Sequence, residues 1–557
     1  MADKITGGEL VVRLLVSLGV RHVFGVPGGQ TLAITDAIID TPEVDFVTAR
    51  HEGAAAVMAD AYGRLTGTPG VCLATTGPGA TNLLTGVGGA LRDSSPVLVI
   101  TCNNNGENID RDDAQGADHV SLFRPLVKHG RLVAHASSIG QAIEEGYVRA
   151  MTGNPGPVHL DFARDVIESV LEEPAEVPAT HPLRGWVGQR PRADAAALAG
   201  AAERISAARR PVLWLGNGCN RSGAGQAALA LAEAHDLPIV TTFNGIGCVP
   251  TTHPLVFGAL SRMGTNLSTR VVAESDLVIA VGNSLNAIST SRWTLPLPEI
   301  VQIDVEPATI GRYYAGSTLG VVGDAKDALE TLAGALSGPV REERKTWLAE
   351  LGGARTRWWE STPDGGMSPA DIVRRLREVT PDDTLLIPDA GNPGVWSYLW
   401  EIRQAGTYLK PVGFGNMGFS VPAAIAAAVT DPTRPVLVLV GDGSLGMTLA
   451  ELETLVRVGG RVCVVVLNDE GYGNIRQEQI VKYGPRTIGV DFGPADYAQV
   501  ARGLGLSARR VTDLDELAAR VGETLAGETP ALFDVPIDPE VNAWTYPAFR
   551  KYEPEEG

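Results

Sequence analysis

The residues with most chemistry in them are Gly441-Asp442-Gly443-Ser444, with Asn468 further along the chain. Ahead of the run stands Val436-Leu437-Val438-Leu439-Val440, an unbroken apolar stretch that predicts a strand buried on both faces of a parallel sheet. Behind it, Leu449, Leu452, Leu455 and Val456 recur at helical spacing over residues 448–457, and a second buried strand over 462–467 leads into Asn468. Strand, glycine turn, helix and strand put Asp442 and Asn468 at the carboxyl ends of two strands, where open α/β sheets take their ligands. A hard cation such as Mg²⁺ takes oxygen donors, few from protein and the rest from phosphate and water. Asp442 offers charge, Asn468 a neutral amide oxygen, and Gly441 and Gly443 let backbone N–H groups come close to a phosphate. The pattern predicts a metal and diphosphate cradle. The alternative is an ordinary crossover whose turn happens to carry an aspartate.

A chain of 557 residues is too long for one core and suits about three domains. Over residues 1–170, helices at 8–18, 52–65 and 80–91 alternate with short apolar strands at 22–25, 71–75, 96–101 and 158–161. Such alternation predicts a doubly wound parallel sheet. A proline-rich linker over 174–191 precedes a second unit at 190–340, with strands at 211–215, 237–241, 277–281 and 301–305. A second linker over 361–368 leads into a third unit at 365–540, followed by a tail over 541–557. The expected fold is α/β with three doubly wound parallel sheets.

The formal net charge of −19, relieved by no basic stripe, argues against nucleic acid or an anionic membrane as partner. Cys72, Cys102, Cys219, Cys248 and Cys463 are scattered, mostly within apolar runs, and predict buried free thiols in a reducing cytoplasm. The opening residues lack a signal-peptide pattern, and no apolar run approaches the roughly 20 residues that span a bilayer.

The cradle resembles the metal-diphosphate motif of thiamine-diphosphate (ThDP) enzymes, and further motifs follow in that superfamily's order. Arg50-His51-Glu52-Gly53-Ala54 opens an Ala-rich helix; Phe24-Gly25-Val26-Pro27-Gly28-Gly29, Thr75-Thr76-Gly77-Pro78-Gly79-Ala80-Thr81-Asn82, Ala114-Gln115-Gly116-Ala117-Asp118 with Arg124-Pro125, and Gly415-Asn416-Met417-Gly418-Phe419 complete the set. They are similar to the acetolactate synthase-like and benzaldehyde lyase-like members. The resemblance implies pyrimidine-binding, central and diphosphate-binding domains, and ThDP with Mg²⁺ as cofactors. It also implies a homo-oligomer, dimer or dimer of dimers, in which Glu52 of one copy and the metal cradle of another complete each site.

By the same resemblance Glu52 hydrogen-bonds the aminopyrimidine and relays the activating proton, where by itself it would be an acid in the first turn of a helix. Met417 is the apolar prop under the cofactor, or else a core methionine. Gly415 offers its carbonyl, Thr76, Asn392, Gly441, Gly443, Ser444, Leu445 and Tyr472 join the cofactor site, and Glu470 adds a backbone oxygen to Asp442 and Asn468 on the metal. On the substrate side stand Val26, Pro27, Gly28 and Gly29, with Gln115 aligned toward a developing alkoxide. Gln477 and Glu478, the latter as a catalytic candidate, fall either over the cofactor or on a solvated helix face. His51 and His129 are further proton donors, of a kind more often structural.

The chain departs from biosynthetic acetolactate synthases in two places. Their Arg-Phe-Asp-Asp-Arg run is replaced by Gly282-Asn283-Ser284-Leu285-Asn286, and no tryptophan follows the metal loop. Losing a guanidinium that grips a carboxylate argues against a second 2-oxo acid as acceptor and against FAD. Gly216-Asn217-Gly218 and Asp304 leave room for an adenine nucleotide or coenzyme A in the central domain. The aromatic and basic tail, Trp544 to Tyr552, reads as a lid carrying Arg550 and Lys551 or as a loose end. The expected activity is a ThDP- and Mg²⁺-dependent lyase or carboligase acting next to a carbonyl, on a 2-oxo acid or a 2-hydroxy carbonyl compound. The rivals are a 2-hydroxyacyl-CoA lyase and an idle regulatory subunit of the same fold.

Overall fold

The computed structural model describes residues 4–171, 177–260, 264–360, 366–541, 543–546 and 549. Three all-parallel sheets form, each wrapped by helices. In the first, six strands stand in the order Asp45–Thr48, His22–Gly25, Gly70–Ala74, Val97–Asn103, Pro157–Ala163, His129–Val133. In the second, the order is Val256–Ala259, Ile239–Thr241, Pro211–Leu215, Leu277–Val281, Glu299–Asp304, Thr318–Val322. The third has five strands: Leu385–Pro388, Val436–Gly441, Val462–Asn468, Ala531–Pro536 and Ser507–Arg510. A two-residue antiparallel pair, Ile5–Thr6 with Val170–Leu171, ties the start of the first unit to its end.

Local chemistry explains the elements that matter for the site. The two strands flanking the glycine turn are Val- and Leu-rich and nearly fully buried, as a strand covered on both faces must be. Helix Glu52–Thr66 is capped by the His51 side chain, whose Nδ1 accepts the Gly53 N–H, and it ends at Gly67, at φ +70°. Its alanines pack in one core with those of helix Ser420–Thr430. Small side chains on both faces let the first and third units meet helix to helix. All five cysteines are buried free thiols.

Three expectations need correction. The helix predicted over 80–91 is two, Pro78–Asn82 and Leu84–Arg92. The one predicted over 448–457 begins earlier: Asp442–Thr448 starts directly after the strand with Gly441 as its cap, and Glu451–Val458 follows. An aspartate in a first turn suits the positive end of the helix dipole, which periodicity of apolar residues does not reveal. The linker over 174–191 includes a short helix, Leu183–Val187; residues 172–176 lie outside the described ones, as do 361–365 of the second linker.

Candidate active site

The register of the third sheet sets Gly441 beside Leu467, so Asp442 and Asn468 emerge side by side at the carboxyl ends of adjacent strands. Asp442 is 1% exposed. Its Oδ2 accepts the Gly471 N–H at 2.9 Å, while its Oδ1 is buried with no hydrogen-bond partner. Burial, and then the neighbouring Asp469 carboxylate, push Asp442 up to about 7; burial raises Asp469 as well. Asn468 donates from Nδ2 to Asp534 Oδ1 at 2.9 Å and accepts the Glu470 N–H on Oδ1 at 3.2 Å. Glu470 turns the chain at φ +55°, unusual for a residue with a Cβ. Its carbonyl accepts from the Phe492 N–H at 2.8 Å and from Arg476 Nη2 at 3.1 Å. The orphaned Asp442 oxygen and the neighbouring Asn468 amide oxygen offer what a hard cation takes, whereas the Glu470 carbonyl, expected as a third ligand, is occupied by the Phe492 N–H and Arg476.

Backbone space at the turn is reserved. A Cβ on Gly443 would stand 2.7 Å from the Tyr472 ring, which itself meets Phe492 edge-on at 4.7 Å. Ser444 and Leu445 are buried in the first turn of helix Asp442–Thr448, whose leading N–H groups have no intrahelical acceptor. Gly391 takes φ +81° ahead of Asn392, whose amide is held by Asn474 at 3.0 Å and Gln477 at 3.4 Å. Behind them Asp389, fully buried, accepts N–H groups from Ala390, Gly418 and Ser420. Met417 is half-buried, and Gly415 at φ +67° is open.

Glu52 belongs to a second constellation, at the carboxyl edge of the first sheet. Its Oε2 accepts Asn82 Nδ2 at 2.9 Å, and Oε1 lies 3.5 Å from where a Cβ on Gly79 would be. A Cβ on Gly28 or Gly79 would stand 2.5 or 2.9 Å from the Thr75 side chain, so both glycines pack directly on it. The backbone ahead of Glu52 is anchored from the third unit: Glu451 Oε1 accepts the N–H groups of Arg50 at 2.9 Å and His51 at 3.1 Å.

Gln115 is exposed at φ +61°, and its carbonyl accepts the Thr76 hydroxyl at 3.3 Å. Beneath it lies a buried network that motif reading missed. His119 Nε2 accepts the Gly77 N–H at 3.0 Å, which puts the ring proton on Nδ1, 3.0 Å from Asp161 Oδ1. Asp161 also receives Thr101 Oγ1 at 2.6 Å and Asn103 Nδ2 at 2.8 Å, and Thr101 in turn accepts from His159 Nε2 at 2.7 Å. Burial depresses His159 to about 4. Histidines at 119 and 159 sit on no motif, so nothing in the linear sequence pairs them.

Two substrate-side candidates are engaged elsewhere. Gln477, read as facing substrate or solvent, is buried and donates from Nε2 to the Val541 carbonyl at 3.1 Å, besides accepting from Asn392. Glu478 pairs with Lys482 at 2.6 Å one turn along helix Gly473–Tyr483. Arg550 and Lys551 fall outside the described residues. Tyr546 and Phe549 pack against Trp396 at ring distances of 5.0 and 5.7 Å, so the described part of the tail buttresses helix Asn392–Trp396 rather than hanging loose.

A cavity of about 620 Å³ separates the first and second units. Gly216, Asn217, Gly218 and Asp304 line it, as does Gly282-Asn283-Ser284. That last stretch carries no arginine, yet Arg64, Arg92, Arg190 and Arg221 reach the same cavity from other segments. Arg221 is half-buried, its Nε is buried without a partner, and desolvation lowers it to about 10.

Family models match the chain in three successive blocks: the N-terminal TPP-binding domain of thiamine pyrophosphate enzymes over residues 5–122, their central domain over 198–332 and their C-terminal TPP-binding domain over 389–535. The chain is 34% identical over 551 residues to a probable acetolactate synthase large subunit of Methanocaldococcus jannaschii, covering 96% of this chain and 92% of that protein. It is 30% identical over 544 residues to the acetolactate synthase isozyme 1 large subunit of Escherichia coli, covering 96% and 95%. It is 32% identical over 545 residues to the acetolactate synthase large subunit of Parasynechococcus marenigrum, covering 96% and 88%. The chain belongs to the thiamine pyrophosphate enzyme family, in its acetolactate synthase-like branch.

Proposed function

We propose that this thiamine-diphosphate enzyme is a Mg²⁺-dependent lyase or carboligase that forms or breaks a C–C bond next to a carbonyl, on a 2-oxo acid or a 2-hydroxy carbonyl substrate. The observation that carries the metal dependence is the buried, unpartnered Asp442 Oδ1 beside Asn468. Asp442 and Asn468 would hold the cation, the Glu470 carbonyl joining them only by giving up its Phe492 and Arg476 donors, with Gly441, Gly443, Ser444, Leu445, Asn392 and Tyr472 around the diphosphate. Thr76, Gly415 and Met417 would face the rings. When bound, ThDP supplies a carbon nucleophile and an electron sink. The chain's own part is posture and proton control. Glu52 would hold or release a proton at Oε1, oriented by the Asn82 bond to Oε2. Gln115 would donate to the substrate oxygen, and residues 26–29 would wall the site from water. Gln477 and Glu478 stay outside the reacting set, since Val541 and Asn392 hold the one and Lys482 pairs with the other.

Within one chain Glu451 fastens the approach to Glu52 against the second helix after the metal turn, and we take the Glu52 and metal constellations as two half-sites that a second copy completes. Beside the metal half, Ile475, Val481, Tyr483 and Ile488 are exposed; beside the Glu52 half, Leu32 and Ile39 are. Apolar surface of this extent supports burial against a second copy, which would bring the halves together. The absence of arginine from 282–286 supports an acceptor without a carboxylate. The synthase names of the relatives favour carboligation over the acyl-CoA lyase and idle-subunit alternatives. The four arginines lining the 620 Å³ cavity support an adenine nucleotide or coenzyme A there, and the Gly282-Asn283-Ser284-Leu285-Asn286 stretch argues against FAD. No helix among the described residues is long and apolar enough to cross a membrane, and the free buried thiols support a cytoplasmic setting.

Calorimetric titration with ThDP, in Mg²⁺ and then in a chelator, tests the cofactor site. Binding in Mg²⁺ alone is expected, and binding that ignores the chelator would contradict the cradle. Incubating the loaded enzyme with 2-oxo acids and acyloins, with and without aldehyde acceptors, then reads out the bond made or broken.

A further inference from the structure

Residues 412–418 carry Gly415 and Met417, and buried carboxylates from different parts of the chain hold both ends of this loop. At the leading end Asp93, 2% exposed, accepts the N–H of Val412 at 3.1 Å and of Gly413 at 2.6 Å. At the trailing end Asp389 accepts the N–H of Gly418 at 3.1 Å and of Ser420 at 2.8 Å. Between the clamps, Gly415 and Gly418 sit at φ +67° and +76°, so no regular element sets the path of the loop. Gly413 has no slack: a Cβ there would stand 2.5 Å from the Arg92 carbonyl oxygen.

Asp93 does more than cap this loop. Its Oδ1 also accepts Asn244 Nδ2 at 2.8 Å, and its Oδ2 accepts Arg64 Nη1 at 3.4 Å. Its backbone carbonyl takes Asn217 Nδ2 at 2.9 Å and Arg221 Nη2 at 3.1 Å. Asn217, Arg221 and Asn244 all line the large central cavity, where Asn244 Oδ1 is itself buried without a partner. One carboxylate on the first unit therefore grips a loop of the third unit and the floor of a cavity in the second.

We infer that Asp93 is a positioning residue for the cofactor site: it sets where residues 412–418 stand, and through Asn244 it ties that position to the floor of the central cavity. This rests on the reading of Gly415 and Met417 as the cofactor's support. The donors meet on a carboxylate that is 2% exposed, and hydrogen bonds to a buried carboxylate are the class whose loss is most costly. Truncating Asn244 removes one neutral donor and leaves the clamp on the loop in place, so its effect is smaller.

The full-length chain, purified without cofactor, is titrated with ThDP in saturating Mg²⁺, and the near-ultraviolet circular dichroism of the bound cofactor is recorded together with the melting temperature of each cofactor-free protein. Asp93→Asn is expected to bind ThDP about tenfold more weakly with an altered dichroism band, and Asn244→Ala about threefold more weakly. Gly413→Ala leaves every charge in place but pushes the loop off the Arg92 carbonyl, and it is expected to reproduce the Asp93→Asn loss. If Asp93→Asn does not fold, Gly413→Ala decides. A folded Asp93→Asn or Gly413→Ala with wild-type affinity and an unchanged band overturns the clamp, and wild-type affinity in Asn244→Ala overturns the tie to the cavity. Failure of the wild type itself to bind ThDP is a failure of the cofactor reading, and it shows before any variant is made.

Discussion

Asp442 Oδ2 accepts the backbone N–H of Gly471 at 2.9 Å, while Oδ1 of the same carboxylate, also buried, meets no donor. The first oxygen closes the turn after Asn468; the second is left for a ligand. Asp442→Ala should therefore lower ThDP affinity in Mg²⁺ by about a hundredfold, measured calorimetrically, because it removes the only charged donor of the proposed cation site. The melting temperature of the cofactor-free protein should not fall with it. A desolvated carboxylate beside Asp469, with one oxygen left without a donor, costs free energy that offsets the lost Gly471 bond. Equal losses of affinity and of apo stability would mark Asp442 as a structural acid instead.

Glu52→Gln keeps the acceptor for Asn82 Nδ2 and the first-turn position, but its side chain cannot give up or take a proton. Fold and ThDP affinity should stay within about threefold, while turnover drops by about 10²–10⁴. Steady-state kinetics beside a binding isotherm separate the two. Near wild-type turnover would remove Glu52 from the proton relay.

Gly443→Ala places a methyl 2.7 Å from the Tyr472 ring. The ring must move, and its edge-on contact with Phe492 goes with it. We expect a destabilisation of about 1–3 kcal/mol by urea unfolding and weaker ThDP binding. Unchanged binding would mean that the Tyr472 side of the turn does not touch the cofactor.

His159 is stacked on Phe123 at 4.1 Å and depressed to about 4 by burial; Asp161 works against that shift and His119 with it. Between pH 6.5 and 4 the unfolded chain binds a proton at this position that the folded chain refuses. Its contribution is thus intact above about pH 6.5 and lost as pH falls toward 4, on the order of 3 kcal/mol. Urea midpoints followed from pH 7 to 4 should fall more steeply for the wild type than for His159→Gln, which keeps a donor toward Thr101. Parallel curves would contradict the assignment.

The linear sequence told most where neighbours in space are neighbours along the chain. The Val-rich strands and the helix opening at Glu52 are local patterns, and they appear within a residue or two of where they were expected, while the expected Gly-Asp-Gly turn is the start of a helix. What it withheld are contacts between distant residues. Asp93 reaches Gly413 across 320 positions, and Glu451 reaches Arg50 across 401. Nothing in the spacing around either acid announces them. Gln477 shows the other gap: helical periodicity left both faces of that stretch open, and only packing against Val541 and Asn392 decided which way the amide points. The cationic lining of the central cavity was missed for the same reason, since its four arginines come from separate segments.

The central claim, that Glu52 of one copy and Asp442 of another build one site, is tested most directly by mixing two inactive proteins. Glu52→Gln and Asp442→Ala are each expected to be inactive alone. Co-expressed, they form heterodimers in which one of two sites receives wild-type Glu52 from one chain and wild-type Asp442 from the other. For random pairing in a symmetric dimer, activity should return to about one quarter of wild type. A mixture that stays as inactive as its components, with heterodimers present, would place both groups within a single chain and contradict the account.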